Sequence, residues 1–419
     1  MTLGAGRYQS SLPGLLDNIA FVLTYPWLTI ASLFLSCYQS TPWEVQHPQS
    51  KLTHYFVYGP VLGLLALAFA PLGLLGCILH IFLCHAFVCN KYIHMTVPKK
   101  LEANGFDVGG PDTGLANLLP SRKFTFCSAN LLLAPECVGR FNKNKFVYTR
   151  GPEVARRLLW QQSLCENSAS LSKEDHVSVV FPEVDFFCLQ EVWERVWALF
   201  LIKELMQKYP HFLYDIGENK LGVNGCMAGS GLFFASKYPI LKATFETFNC
   251  RKGWAKCISY GVLCVKVDVG APRQNRVGYI ANLHTQAYQD QEPIIYQELQ
   301  QAHTAFERFR QETLGSDEES VFQMMCGDFN YDNMSPGDAM NQSHPMFEDY
   351  EDFCRVGPGT DKPWTVGTEM RQVMMFDDRL NSPRSFRRIL IDDVERRRFV
   401  LDADVVSQTL ELARSPPPA

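Results

Sequence analysis

The stretch Phe181–Leu205, FPEVDFFCLQEVWERVWALFLIKEL, holds two periods in succession. Val184–Leu189 is a short apolar run of the kind that a strand buried on both faces requires. From Trp193 to Tyr209 the Leu, Ile and Met residues recur at helical spacing. Between the two periods stand Gln190 and Glu191, polar residues where a strand gives way to a helix. The same pattern recurs along the chain. Phe124–Leu133, Gly231–Ala235, Gly261–Val269, Val277–Leu283 and Val321–Cys326 read as further strands, Val154–Leu164 as a short helix and Ile294–Leu314 as a long amphipathic one. Strands alternating with helices, with polar residues at the strand ends, predict an α/β layered architecture. No internal repeat interrupts it, and low complexity is confined to the tail Pro416–Ala419.

Three further strand ends carry polar groups: Ser128-Ala129-Asn130, Cys326-Gly327-Asp328-Phe329-Asn330, and His284 in IANLHTQ. Loops at strand ends are where a rigid sheet offers side chains to a ligand. An amide beside a carboxylate gives oxygen donors that suit Mg²⁺, which takes one or two protein oxygens and completes its shell with water and phosphate. Taken alone, an acid after a strand is more often a turn residue or a helix cap. GDFN is a good turn sequence because Gly and Asn accept positive φ, and a single His at a strand end is more often structural. The ordered set Asn, Gln-Glu, His and Gly-Asp-Phe-Asn carries the functional reading.

The first hundred residues differ from the rest. Ile19–Tyr38 and Tyr55–Cys89, runs of 20 and 35 residues, contain no Asp, Glu, Lys or Arg. A bilayer core needs about 20 apolar residues in a helix, so each run is long enough to insert. A cleaved signal peptide fits poorly, because the first run starts late and a second, longer one follows. Pro26, Pro60 and Pro71, with Gly59, Gly63, Gly73 and Gly76, can bend a helix into a hairpin that enters and leaves one leaflet. Arg7 lies outside one end of the pair and Lys91, Lys99 and Lys100 outside the other, while the connector Gln39–His54 holds Lys51 against Glu44. That distribution suits a cytosolic amino terminus and a cytosolic downstream domain. Spanning helices and shallow hairpins both satisfy it. Cys37, Cys84 and Cys89, near the ends of the runs, are chemically open to S-palmitoylation, or are unmodified membrane-facing thiols.

The chain carries 39 basic and 44 acidic residues for a formal charge of −5, a poor balance for a partner such as duplex nucleic acid. Its 14 cysteines are spread from Cys37 to Cys354 without a CxxC pair, as reduced thiols are rather than a disulfide scaffold. The expected partition is a membrane-anchoring region over 1–100 with hydrophobic segments 19–38 and 55–89, a Gly- and Pro-containing linker over 101–121, an α/β domain over 122–400 and a tail over 401–419.

The ordered motifs resemble the endonuclease/exonuclease/phosphatase superfamily, and within it the neutral sphingomyelinases that bear two amino-terminal hydrophobic segments. The likeness rests on FPEVDFFCLQEV (Phe181–Val192), SGLFFASKYPI (Ser230–Ile240), VGYIANLH (Val277–His284), CGDFNYDN (Cys326–Asn333) and GPGTDKPWTVGT (Gly357–Thr368), and runs to about Arg397. The QE and GDFN motifs are shared with nucleases and inositol phosphatases. GPGTDKPWTVGT and the paired hydrophobic segments point to sphingomyelinases. The absence of a long polar insertion before the QE strand makes the chain more similar to the shorter, mitochondria-associated branch.

The resemblance implies a four-layer sandwich of two β-sheets flanked by helices, and hydrolysis of sphingomyelin to ceramide and phosphocholine. It implies Mg²⁺, with Mn²⁺ as an alternative, held by Glu191 with help from Asn130. Asp328 and Asn330 would bind substrate and orient phosphate and nucleophile, and His284 would contact phosphate oxygens. The implied partners are sphingomyelin in membranes and anionic phospholipids, with no nucleic acid. The implied location is a cytosol-facing membrane, mitochondria-associated or endoplasmic reticulum first, Golgi or plasma membrane next. A catalytically silent membrane protein that binds lipid or a partner is the alternative, and a nuclease of the same superfamily is disfavoured by the hydrophobic segments and the acidic balance.

Two departures qualify the resemblance. The family's general base is a His in a terminal Asp-His strand, whereas the ten histidines here end at His344, and the Asp175-His176 pair precedes Glu191. The expectation is therefore a carboxyl-terminally incomplete sandwich with an exposed sheet edge and impaired activity. Family members also carry an Asp and a Lys five residues apart before the strand written here GVLCVKV. The matching positions are Ala255 and Tyr260, with Lys256 nearby.

Overall fold

The computed structural model describes residues 2–3, 7–8, 10–40, 44, 47–88, 90–98, 123–141, 146–163, 184–218, 228–270, 274–287, 293–333, 336–362 and 392. The predicted linker over 101–121, Asp175-His176, Cys89, the motif residues 181–183 and 363–368, and the segment Glu395–Arg398 with the tail lie outside the described residues.

Twelve strands are described. They are β1 (Thr2–Leu3), β2 (Ile93–Thr96), β3 (Phe126–Leu133), β4 (Phe186–Val192), β5 (His211–Tyr214), β6 (Phe233–Ser236), β7 (Ile240–Thr247), β8 (Gly261–Asp268), β9 (Arg276–His284), β10 (Glu319–Asp328), β11 (Arg355–Gly357) and β12 (Thr360–Asp361). One sheet has six strands in the order β1-β2-β5-β6-β4-β3 and a second has four in the order β10-β9-β8-β7; β11 and β12 form a small separate pair. The helices are α1 (Ser11–Tyr38), α2 (Gly59–Ala86), α3 (Glu136–Phe141), α4 (Val147–Ser163), α5 (Arg195–Leu205), α6 (Ile294–Thr313), α7 (Ala339–Gln342) and α8 (Met346–Asp349).

Period-two alternation sorts the side chains into layers. On β4, Phe187 and Leu189 pack toward α5, while Phe186 and Cys188 face the second sheet. On β8, Val262 and Cys264 pack toward α6, while Leu263, Val265 and Val267 face the first sheet. The helices answer with stripes at helical spacing. Trp197, Ala198, Leu201, Ile202 and Leu205 of α5 close one outer core, and Ile295, Leu299, Ala302, Phe306 and Phe309 of α6 close the other. Helix, sheet, sheet and helix make the four layers that the motifs implied. Among the described strands, β10 pairs only with β9, and its residues are at most half-buried whereas β9 is almost wholly buried.

The predicted strands and helices all form, with boundaries displaced by a few residues. Helix α4 starts at Val147 instead of Val154, because the Glu136 carboxylate accepts the N–H groups of Phe146 and Val147 at 2.9 and 2.8 Å and so caps the earlier turn. Strands β1, β2, β5, β7, β11 and β12 fall outside the stretches that read as strands in the sequence.

Helices α1 and α2 run antiparallel. Each is long and apolar enough to cross a membrane, with mean hydropathy 1.7 over Ser11–Tyr38 and 2.4 over Pro48–Ala86. They continue through Pro26 and Pro71 without ending, so these prolines do not form the sharp hairpin bends that their positions suggested. The glycines are close-contact positions instead. A Cβ on Gly73 would lie 2.5 Å from the Trp27 ring, and one on Gly76 would lie 2.4 Å from Thr24 Oγ1. Leu64, Leu67 and Ile78 of α2 point outward, 65–73% exposed.

The opposite side of α1 rests on the layered domain along its length. Asp17 accepts from Arg195 at 2.8 Å, Ser32 Oγ accepts the Cys137 N–H at 3.0 Å, and the Gln39 carbonyl accepts from Arg140 at 3.2 Å. Cys37 and Cys84 are 3% and 1% exposed, so acylation of either requires the helix pair to open.

Candidate active site at the strand ends

Strands β3, β4, β9 and β10 finish at the same end of the sandwich, because β3 pairs parallel to β4 and β10 parallel to β9. Register places Asn130 beside Gln190 and Asp328 beside His284. Asn130, Glu191, Asp328 and His284 therefore meet across the mouth between the sheets. The Asn130 amide nitrogen donates to Glu191 Oε1 at 2.9 Å and to Asp328 Oδ2 at 2.7 Å, holding two acids together that would otherwise repel. Asn130 Oδ1 accepts the Leu132 N–H at 3.0 Å.

His284 is buried at 1% exposure. Its Nε2 stands 4.0 Å from Glu191 Oε1 and 3.8 Å from Asp328 Oδ2, beyond hydrogen-bond reach of either and facing the space between them. Its Nδ1 has no hydrogen-bond partner among the described residues. The ring is walled by Tyr260, edge-on with centroids 4.9 Å apart, and by Trp193 at 6.2 Å. Tyr260 thus occupies the position that departed from the family pattern and packs directly against the site histidine.

Among the described residues, Asn330 makes no hydrogen bond to Glu191. It sits at φ 49° and fastens the loops. Its amide nitrogen donates to the Thr285 carbonyl at 2.8 Å, and its N–H donates to Asp328 Oδ1 at 3.1 Å. Thr285 returns the link by donating from its N–H to the Asp328 carbonyl at 3.0 Å and from its hydroxyl to the Phe329 carbonyl at 2.6 Å. Glu191 also lies in the left-handed region, at φ 56°, where the strand turns out of the sheet. Gly231 is needed beside it, since a Cβ there would come within 3.2 Å of Glu191 Cα.

Below the mouth, Gln190 and Asn282 join the sheets. The Gln190 amide nitrogen donates to Asn282 Oδ1 at 2.7 Å and to the Cys188 carbonyl at 2.9 Å, and the Asn282 amide nitrogen donates to the carbonyls of Phe233 and Leu189 at 3.2 and 3.3 Å. Both residues are at most 1% exposed. Behind His284, Glu298 of α6 accepts the Gln286 N–H at 2.7 Å, and burial pushes its carboxyl up to about 8.

Among the described residues, no three His, Cys, Asp or Glu side chains stand close enough to cage a metal. The donors present are nonetheless hard oxygens, with Glu191 and Asp328 18% and 26% exposed at an open mouth. That set fits Mg²⁺, which needs no all-protein cage, and does not fit a thiolate metal.

No protein-family model matches the chain. It is 35% identical over 232 residues to sphingomyelin phosphodiesterase 5 of Danio rerio, covering 54% of this chain and 43% of that protein. It is 34% identical over 268 residues to sphingomyelin phosphodiesterase 3 of Homo sapiens, covering 59% of this chain and 41% of that protein. The chain therefore spans less than half the length of these two relatives. Among solved structures, sphingomyelinase C from Streptomyces griseocarneus aligns with a TM-score of 0.37 at 18% identity, covering 55% of this chain and 70% of that one. The resemblance to sphingomyelinases drawn from the motifs is matched by these sequence relatives.

Proposed function

We propose that this chain is a Mg²⁺-dependent phosphodiesterase that hydrolyses sphingomyelin to ceramide and phosphocholine at a cytosol-facing membrane. The observation that carries the reading is the convergence of Glu191, Asn130, Asp328 and His284 at one mouth, in a chain similar to sphingomyelin phosphodiesterases. Glu191 would hold the ion, with Mn²⁺ as a substitute, and Asn130 would join it once its amide turns to present Oδ1, which here accepts the Leu132 N–H, in place of the nitrogen that bonds Glu191 and Asp328. When bound, the ion supplies Lewis-acid polarisation of the phosphodiester. Asp328, steadied by Asn330, orients the phosphate and the attacking water for in-line displacement. His284 Nε2 faces the same space and contacts a phosphate oxygen, with Tyr260 and Trp193 fixing the ring and excluding water. The working partition is an anchor over 1–100, a linker over 101–121, the phosphodiesterase domain over 122–400 and a tail over 401–419.

The helix pair is read as an in-plane anchor. Contacts with the layered domain extend from Asp17 to Gln39, about 33 Å of helix at 1.5 Å per residue. A helix crossing a bilayer cannot keep both ends on a water-soluble domain confined to one side. The apolar outer face of α2 would then lie among acyl chains of the cytosolic leaflet, with anionic phospholipids at its rim. Mitochondria-associated and endoplasmic-reticulum membranes are the first compartments to examine.

The test is ceramide release from sphingomyelin by purified, detergent-solubilised chain, with and without Mg²⁺, alongside Mg²⁺-dependent thermal stabilisation. Glu191→Gln keeps the shape and removes the charge, so both signals should fall. Ion-independent hydrolysis, or a Mg²⁺ titration unchanged in Glu191→Gln, would overturn the assignment. Stabilisation by Mg²⁺ without hydrolysis would instead favour a lipid-binding protein of this fold.

A further inference from the structure

The reactions above make no use of five charged side chains gathered where the hairpin's open end meets the domain. Arg195 begins α5, four residues after Glu191. Its side chain is 12% exposed and paired with two carboxylates. Nε and Nη2 donate to Asp215 Oδ2 at 3.0 and 2.5 Å, and Nη2 also donates to Asp17 Oδ2 at 2.8 Å. Asp17, on α1, meets His80 Nδ1 of α2 at 2.6 Å through its other oxygen. Asp215, just past β5, is reached by Arg7 of the amino-terminal arm, whose Nη2 lies 3.5 Å from Oδ1. Burial opposes the charge on Asp215, but Arg195 and Arg7 outweigh it and hold the carboxyl below its usual range. One chain of charges, buried at Arg7 and Asp17 and partly exposed at Arg195, Asp215 and His80, thus links the arm, both apolar helices, the end of β5 and the start of α5.

Both domain-side members of that chain border the Glu191 turn. A glutamate at φ 56° persists only where its surroundings over-determine it. On one side, the Val192 N–H donates to the Gly231 carbonyl at 2.8 Å, and the Ser230 N–H and hydroxyl donate to the Ile216 carbonyl at 2.7 and 2.9 Å. Ile216 follows Asp215. On the other side, the chain runs from Glu191 through Trp193, whose N–H donates to the Leu133 carbonyl at 3.1 Å, to Arg195. The Arg195–Asp215 pair closes this circuit, and Asp17 ties it to the hairpin.

We propose that Arg195 is a positioning residue that couples seating of the membrane hairpin, through Asp17 and Asp215, to the left-handed turn presenting Glu191. This rests on the reading of Glu191 as the ion-binding carboxylate. The coupling makes the hairpin more than an anchor, because a dislodged hairpin strips Asp17 from Arg195 and frees the turn. Removing one member of a buried ion pair leaves the other uncompensated, so the effect should spread along the circuit.

The experiment uses the full chain in detergent micelles and compares Asp17→Asn, Arg195→Gln, Arg195→Lys, the Asp17→Asn/Arg195→Gln double variant and Ser32→Ala. Ser32→Ala removes a hairpin contact outside the circuit. The readouts are amide hydrogen exchange in peptides over 190–195 and 214–218, Mg²⁺-dependent thermal stabilisation, and kcat and KM for sphingomyelin. Asp17→Asn and Arg195→Gln should each speed exchange in both peptides by about tenfold, with a fall in kcat at unchanged KM. The double variant should be no worse than Arg195→Gln, Arg195→Lys should recover part of the loss, and Ser32→Ala should change neither peptide. Slow exchange at 190–195 in Asp17→Asn, or multiplicative losses in the double variant, would overturn the coupling. Failure of the parent chain to hydrolyse sphingomyelin would count against the functional reading alone, since exchange still decides the coupling.

Discussion

Gln190 and Asn282 offer a direct measure of what holds the two sheets in register beneath the mouth. Asn282→Leu keeps the side-chain volume near the original and removes three interactions. The Gln190 amide loses its 2.7 Å acceptor, and the carbonyls of Phe233 and Leu189 lose donors at 3.2 and 3.3 Å. The Gln190 amide keeps the Cys188 carbonyl at 2.9 Å and the Ser128 hydroxyl at 3.3 Å, so the cost is that of three lost hydrogen bonds at about 0.5–1.5 kcal/mol each. The single variant should therefore lose about 2–4 kcal/mol, equivalent to a fall of about 5–15 °C in Tm for a domain of this size. Gln190→Leu alone should leave the Asn282 Oδ1 unpaired in the same dry layer, with a similar loss. The double variant removes both polar ends at once, and paired apolar replacements of matching shape approach neutrality. Its loss should fall below the sum of the singles by about 1–2 kcal/mol. Chemical unfolding of the four proteins in one detergent, followed by tryptophan fluorescence, gives the cycle. Strictly additive losses would show that the two amides do not satisfy one another, and would refute the inter-sheet clamp.

Two further outcomes are open to measurement. Glu298 is fully buried with its carboxyl pushed up from 4.5 to about 8 by burial, so the folded state holds a proton that the unfolded state releases. Its contribution is complete below about pH 4.5 and is lost as pH rises toward 8, so the stability of Glu298→Gln relative to the parent should climb by up to ~1.4 kcal/mol per pH unit across that window and then level off; a difference flat in pH would contradict this. An Asn-Xaa-Ser acceptor inserted in the connector between α1 and α2 should remain unglycosylated in endoplasmic-reticulum membranes if the hairpin lies in one leaflet, and a glycosylated product would establish a spanning pair.

The parts of the fold legible in sequence were those with strong local periodicity. Strands β4, β8 and β9 are apolar on both faces because each is covered on both, and α6 shows a clean apolar stripe. Strands β2 and β5, four residues each with a histidine, have too little pattern to stand out and form because they pair with each other. Strand β7 carries Lys242 and Glu246 on the edge of its sheet, where charge is tolerated. At the site, the ordered strand-end motifs found the acids and His284. They did not find Tyr260 or Trp193, whose relevance depends on a ring-to-ring approach between residues that flank separate strands. Asn282 did carry a signal: an amide at the same parity as Ile280, facing the inter-sheet core, has to find a partner there.

The hairpin shows why composition alone could not fix its arrangement. An uncharged window starting at Ile19 hides Asp17, which lies inside α1 and is 4% exposed. Asp17, Phe21, Ser32 and Ser36 recur at steps compatible with one helical face, and three of them are buried polar groups. A helix surrounded only by lipid gains nothing from such a stripe, because each unpaired polar group there costs free energy. A helix lying between the apolar α2 and a polar domain requires it. Gly73 and Gly76 follow the same logic. In water a glycine loosens a helix, whereas against Trp27 and Thr24 it permits a contact that any Cβ would obstruct. The same residues therefore predict a bend or a tight seam according to what lies across from them, and it is the partner helix, absent from any local window, that selects the seam.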